Sequence, residues 1–380
     1  MSKLRNQLGN IYVTLLVLTG VMLTNTLLFK FYSSISLYIN LLFLCIGCLV
    51  FVAMTKKNFL YIIAVTMYLF VSLVITKGGL GSVITFVTPL LMLFCFFNIQ
   101  LSAKTKRALI IFSSILIIAL YIYSVPYGQN YNIYAYIKIN PNTLAMFVMY
   151  FFMFLCILTD LKEHKVKMGI MLLLTILAMY NYQSRGTMLA LGCFLLFIIV
   201  PQRMYTRKRV FLLTILLLLV GTLFPYIYID LYENNFNLRL FGKTLYTGRE
   251  QIWLEMFKAF KEDASTIIFG LGSKADLWEG HNLNVHNNFF AVIVNFGVIG
   301  YIFYFSAMLS QVWRLAQYMW NPVIKKSLLM IITVMFVYGF TEVSSIWAVT
   351  FSFVYFGLIT ANAECMKIKQ GMLADKEMRI

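Results

Sequence analysis

Apolar stretches long enough to form helices follow one another along nearly the whole 380-residue chain: about 11–29, 35–54, 59–76, 83–98, 108–124, 143–159, 168–183, 187–200, 210–229, 287–309, 327–340 and 346–361. A helix that crosses the hydrocarbon core of a bilayer needs about 20 mostly apolar residues. In hydrocarbon every backbone polar group must also be satisfied within the protein. The pattern therefore predicts an all-α polytopic integral membrane protein with about 12 transmembrane helices, the shortest at 187–200 and 327–340. Composition agrees, with 61% of residues hydrophobic and 12% charged, whereas soluble domains carry about 45–50% and about 25%. The first stretch follows Lys3 and Arg5 and continues for about 19 residues, which reads as a span and not as a cleavable leader.

A net charge of +17 would direct a soluble protein towards nucleic acid. Its distribution here gives a different reading. With the N-terminus inside, the inner connections hold 21 of the 31 Lys and Arg residues, among them Lys56, Lys57, Lys104, Lys106, Arg107, Arg207, Lys208 and Arg209. Basic residues gather on the cytoplasmic side of membrane proteins. Both termini are thus placed in the cytoplasm, and the charge marks topology and attraction to anionic membrane lipids. No nucleic-acid partner is expected. Cys45 and Cys48 lie mid-helix without His or carboxylate neighbours, so they read as packing residues, and no metal or other cofactor is expected. The chain divides into nine helices over residues 1–229, an outer loop over 230–284, three further helices over 285–361 and a cytoplasmic tail over 362–380.

Two outer connections are long. The first, residues 125–142, is rich in Tyr and Asn; Tyr131 and Tyr134 fit either an interfacial aromatic belt or a surface on which sugar rings stack. The second, residues 230–284, contains LYTGREQIWLEMFKAFKED. Thr247 and Glu250 have capping-box spacing. Ile252, Trp253, Met256, Phe257 and Phe260 then form one apolar stripe, suited to a helix on the membrane surface or against the bundle. Arg249 stands in its first turn, where a helix dipole disfavours a cation. It is read either as a solvated surface residue or as an anion-binding one. Arg185, in the short outer turn NYQSRGTMLALG, opposes the positive-inside bias. It reads as a snorkelling side chain or as a functional residue facing the bundle interior.

The segment VHNNFFAVIVNFGVIGY opens with His286-Asn287 and carries Gly297 and Gly300. In a continuous helix, residues eleven apart differ by only about 20° in direction. His286 and Gly297 would then share a stripe, and the glycines would let another helix approach closely. His286 would lie at the outer end of its helix, either as an interface residue or as a general base. Glu342 and Asp276 are carboxylates that could compete for the role of base.

These residues resemble a known family. His286-Asn287, nine residues, then Gly297-x-x-Gly300 is similar to the His-Asn-x9-Gly-x-x-Gly signature of the O-antigen ligase and Wzy-type polymerase family. SRGTMLAL resembles that family's Ser-Arg-Gly segment, and GREQIW with IIFGLG resembles the start of its large outer loop. NPNTLAM, with Asn142, resembles its Asn-rich entry to a middle helix. The resemblance covers roughly residues 140–302. It implies a GT-C-like, metal-independent glycosyltransferase of the bacterial cytoplasmic (inner) membrane whose donor is an undecaprenyl-pyrophosphate-linked oligosaccharide. Arg185 and Arg249 would bind the pyrophosphate, and His286 would activate the acceptor hydroxyl or orient substrate. Asn287, Asn142, Tyr131 and Tyr134 would contribute to substrate binding. A polymerase of O-antigen, capsule or exopolysaccharide repeat units is the favoured expectation, with a flippase and a chain-length regulator of the same pathway as partners. The alternatives are a ligase acting on lipid A-core and, in another class, a lipid-linked oligosaccharide flippase.

Overall fold

The computed structural model describes residues 7–15, 55–76, 83, 86–87, 90, 93, 101–129, 141–234, 236, 239–240, 243–244, 249–272, 285–342 and 348–377. The helices are α1 (Lys56–Thr76), α2 (Ala103–Gln129), α3 (Pro141–Leu158), α4 (Lys165–Asn181), α5 (Arg185–Ile199), α6 (Arg207–Glu233), α7 (Arg249–Glu262), α8 (Ala264–Phe269), α9 (Asn288–Ala316), α10 (Pro322–Ile332) and α11 (Ala348–Glu377). A π turn, Thr333–Val337, and a 3-10 turn, Tyr338–Phe340, continue α10. A two-residue hairpin, Arg239–Leu240 with Lys243–Thr244, is the described β-structure.

Nine of the twelve expected segments fall mainly within the described residues, and all nine are helical. The segments at 11–29, 35–54 and 83–98 lie mostly or wholly outside them. Among the described residues, six helical stretches are long and apolar enough to cross a membrane: α1, α2 to Pro126, α3, α6, α9 and Pro322–Phe340. Helices α4 and α5 have only 17 and 15 residues. The protein is a polytopic membrane protein on this evidence of length and hydropathy.

Burial separates inner from outer helices. In α3 every residue from Leu144 to Ile157 is buried, and α10 with its two turns is buried from Ile324 to Gly339. α3 is apolar on nearly all faces, as is α10 after its first turns, as suits helices enclosed by others. By contrast α1, α2 and α6 expose Met67, Val74, Ile122, Leu212 and Tyr226, the surface expected against lipid. The stripe on α7 packs on the bundle: Trp253, Met256 and Phe260 are buried with Tyr228 of α6 and with Phe290, Ala291 and Val294 of α9.

At one end of the bundle, basic side chains stop helices. Asn321 caps α10 through its side-chain oxygen, which accepts from the amides of Val323 and Ile324, and Pro322 takes the first helical position. Lys325 Nζ then donates to the carbonyls of Ile198 and Val200 at 3.1 and 3.0 Å, where α5 ends. Lys326 Nζ donates to the Thr159 carbonyl at 2.9 Å, where α3 ends. A cation at a helix C-terminus satisfies carbonyls that lack intrahelical partners and opposes the negative end of the dipole.

Helix α9 departs from expectation. Gly297 has φ 64° and ψ −178°, which breaks the helix into two parts. The stripe joining His286 to Gly297 therefore does not exist, and His286 itself precedes the helix with φ 50°. The glycine does permit close approach, but of a loop element: a Cβ on Gly297 would strike the backbone of Ile268 and Phe269 at the end of α8. Hydrogen bonds from three residues satisfy backbone groups around the break. Leu271 N–H donates to the Val294 carbonyl at 2.7 Å. Tyr68 on α1 donates to Phe296 O at 2.6 Å and Ile268 O at 3.1 Å. Ser72 donates to Phe269 O at 2.8 Å. The break lies about 14 Å along the axis from Asn288, a depth at which irregular backbone is tolerated only when protein groups satisfy it. At the other end of α8, Asp263 caps the helix, and its bonds from the Ser265 hydroxyl and amide hold its carboxyl below the ordinary range.

Candidate functional site

Three elements separated in sequence bring their polar side chains to one end of the bundle. Arg249 is the first residue of α7, and its Nη2 lies 3.2 Å from Oε1 of Glu342. His286 Nδ1 lies 3.0 Å from the other oxygen, Oε2, of the same carboxylate. Glu342 follows the 3-10 turn that closes α10, and its side chain is only 16% exposed, against 21% for Arg249 and 27% for His286. One carboxylate thus orients a guanidinium and an imidazole in a half-dry setting, where charge-assisted bonds are stronger than in water. With Nδ1 as the donor to Glu342, the neutral imidazole has Nε2 as its proton acceptor.

The backbone at His286 is fixed from both sides. Before it, the carbonyl of Val285 accepts from Trp253 Nε1 at 2.6 Å. After it, Asn287 is wholly buried and caps α9, its Oδ1 accepting from the Phe290 amide at 2.8 Å. Asn287 Nδ2 donates to the carbonyls of Gly221 at 3.2 Å and Phe340 at 3.3 Å. The first of these has a cause in sequence. Pro225 lies inside α6 and has no N–H to give to the carbonyl four residues earlier, which is that of Gly221. Asn287 supplies the missing donor. The left-handed backbone of His286, unusual for a residue with a side chain, persists because these contacts over-determine it.

Arg185 opens α5 directly after the turn at Tyr182–Ser184, where Gln183 takes a left-handed conformation with φ 54°. The next residue, Gly186, lies so close to the Thr341 side chain that a Cβ there would overlap its hydroxyl. Thr341 precedes Glu342, so the Ser-Arg-Gly turn abuts the segment that carries the shared carboxylate. Asn142 stands half-buried in the first turn of α3. Tyr131, Tyr134 and Asp276 lie outside the described residues, as does Thr247 of the capping-box pair.

Sequence reasoning placed Arg249 and His286 at one end but did not pair them through Glu342, which it held only as a competing base. It also missed Trp253 as the donor behind Val285. The link from Pro225 to Asn287 had a visible signal, a proline inside a span and hence an unpaired carbonyl one turn before it. Replacing Asn287 with Ala is expected to cost about 2–4 kcal/mol, since it removes a helix cap and leaves two buried carbonyls without their donor. A lowered melting temperature in detergent is the measurement; an unchanged one would mean that these bonds are not made.

The class defined by this fold and site is a helical membrane protein with a basic, His-containing cluster gathered by one carboxylate at the end of its spans. Residues 170–305 match the family model for O-antigen ligase, a region that includes Arg185, Arg249, His286, Gly297 and Gly300. That region of this membrane protein is thus similar to an O-antigen ligase domain, and members of that family are ligases and polymerases that act on lipid-linked glycans. No curated protein and no solved structure matches the chain.

Proposed function

We propose that this protein is a polymerase that joins undecaprenyl-pyrophosphate-linked oligosaccharide repeat units into a bacterial surface polysaccharide. The observation that carries the reading is the convergence of Arg249 and His286 on Glu342 at 3.2 and 3.0 Å, beside the turn that bears Arg185. In the reaction, the acceptor hydroxyl oxygen bonds to the anomeric carbon of the donor as the bond to pyrophosphate breaks. The hydroxyl proton passes to Nε2 of His286 and the electron pair leaves with the pyrophosphate. Arg249 and Arg185 offset the negative charge that grows on the leaving group, which is worth most in a site shielded from water. Glu342 holds the imidazole in the tautomer that can accept a proton. The excess of Lys and Arg in the alternate connections supports placing this end of the bundle outside the cytoplasmic membrane.

The polymerase reading is favoured over the ligase by the moderate outer loop and by an N-terminal half rich in Ile, Asn and Lys, suited to one particular repeat unit. A flippase would call for internal repeats and mid-membrane charge, and the sequence has no clear repeat. Purified protein given lipid-linked repeat units is expected to produce a ladder of longer saccharides. Transfer only to lipid A-core would make it a ligase, and translocation without bond formation would defeat the enzyme reading. Arg185→Ala, Arg249→Ala and His286→Ala are each expected to reduce the ladder at least about a hundredfold while the protein still inserts.

A further inference from the structure

At the end of the bundle opposite Glu342, a cavity of about 170 Å³ opens where α3 ends and α10 begins, closed on its other sides by the start of α2 and the later part of α11. That is ample for more than a single water. Three lysines line it, Lys106, Lys326 and Lys367. Asp160 and Glu364 line it as well, Glu364 paired to Lys367 at 2.7 Å, so the lining holds one more cationic residue than anionic ones. Lys326 commits one of its three N–H donors to the Thr159 carbonyl. Thr159 also lines the cavity; its residue is 6% exposed, and its hydroxyl has no hydrogen-bond partner among the described residues. Outside the cavity, Lys104, Arg107, Lys162 and Lys165 raise the positive field further. Apart from Thr360, the remaining wall is apolar, with Leu101, Ile157 and Val323.

We propose that this cavity binds the phosphate headgroup of an anionic phospholipid from the surrounding bilayer. A phosphodiester supplies acceptors for the lysine ammoniums and for the Thr159 hydroxyl, and its negative charge balances the surplus cation of the lining. The position, at the ends of membrane-crossing helices with an apolar wall, is where a headgroup arrives with its acyl chains still in the membrane. Basic pockets between transmembrane helices commonly take such headgroups. The site goes beyond the proposed glycosyl transfer and does not depend on it.

Native mass spectrometry of the purified protein in detergent, with matched melting curves, tests the assignment. Phosphatidylglycerol is expected to bind and raise the melting temperature, while diacylglycerol with the same chains is not. Lys106→Ala combined with Lys367→Ala is expected to weaken phosphatidylglycerol binding about thirtyfold, from roughly a factor of five for each lysine. Thr159→Val keeps every charge and is expected to weaken it severalfold, which guards against a folding defect in the double variant. Equal binding of diacylglycerol, or native-like binding by both variants, would overturn the proposal. Inorganic phosphate protecting as well as phosphatidylglycerol would identify a soluble anion instead and reject the lipid.

Discussion

Glu342→Gln is expected to lower turnover about a hundredfold or more at saturating donor, with a smaller change in KM, because proton transfer and orientation are lost together. The geometry gives the reason. Each oxygen of Glu342 faces a donor, Arg249 Nη2 on one side and His286 Nδ1 on the other. A carboxylate accepts at both positions, whereas an amide accepts at one and places its own N–H2 against the other donor. One of the two donors must therefore turn away. Glu342→Asp keeps both acceptors on a shorter stem and is expected to recover part of the rate, which a purely steric role would not predict. Removal of the carboxylate also leaves the partly buried Arg249 uncompensated, so a modest loss of stability accompanies the loss of rate. The ladder assay at several donor concentrations separates the effects. Native turnover in Glu342→Gln would show that the shared carboxylate has no part in the reaction.

The helical class and the placing of Arg249 and His286 at one end of the bundle were legible because both follow from local signals. Length and hydropathy mark α1, α3 and α6 without reference to any partner, and the apolar stripe of α7 has a clear helical period. The joint role of Glu342 was not legible. It sits 56 positions beyond His286 and 93 beyond Arg249, and nothing in its neighbours reveals which donors the fold will bring to it. The lysines at the start of α10 show a related limit. Lys325 and Lys326 are among the 21 basic residues of the inner connections that mark topology in the sequence, yet each also closes the end of a different helix. Which carbonyl a long side chain meets depends on which helix end lies beside it, and that is a tertiary fact. Gly297 and Gly300 were the most misleading, since Gly-x-x-Gly is equally compatible with a small-residue stripe on a continuous helix and with a break.

Gly297→Ala tests which of those two it is. Its φ of 64° with ψ of −178° belongs to a region that only glycine occupies readily, so a side chain there carries a backbone penalty of about 1–3 kcal/mol. The added Cβ would also strike the carbonyl of Ile268, a backbone atom that cannot rotate away, so α8 would have to withdraw. Withdrawal breaks the bonds from Leu271 to Val294 and from Tyr68 and Ser72 to the α8 end. The sum is expected to reach about 3–5 kcal/mol, among the largest single-residue effects. Because α7 leads directly into α8 and carries Arg249 and Trp253, turnover is expected to fall along with the melting temperature. Gly300→Ala provides the contrast. Its Cβ would meet the Cβ of Phe296 at 2.5 Å, an atom that side-chain rotation cannot move, but its backbone is not in the left-handed region and no carbonyl of α8 lies against it. A loss of about 1–3 kcal/mol, without the added backbone penalty, is expected there. A stripe of small residues on an unbroken helix predicts similar losses at the two positions; a break filled by α8 predicts that Gly297 is much the more sensitive, and melting curves of the two variants distinguish them.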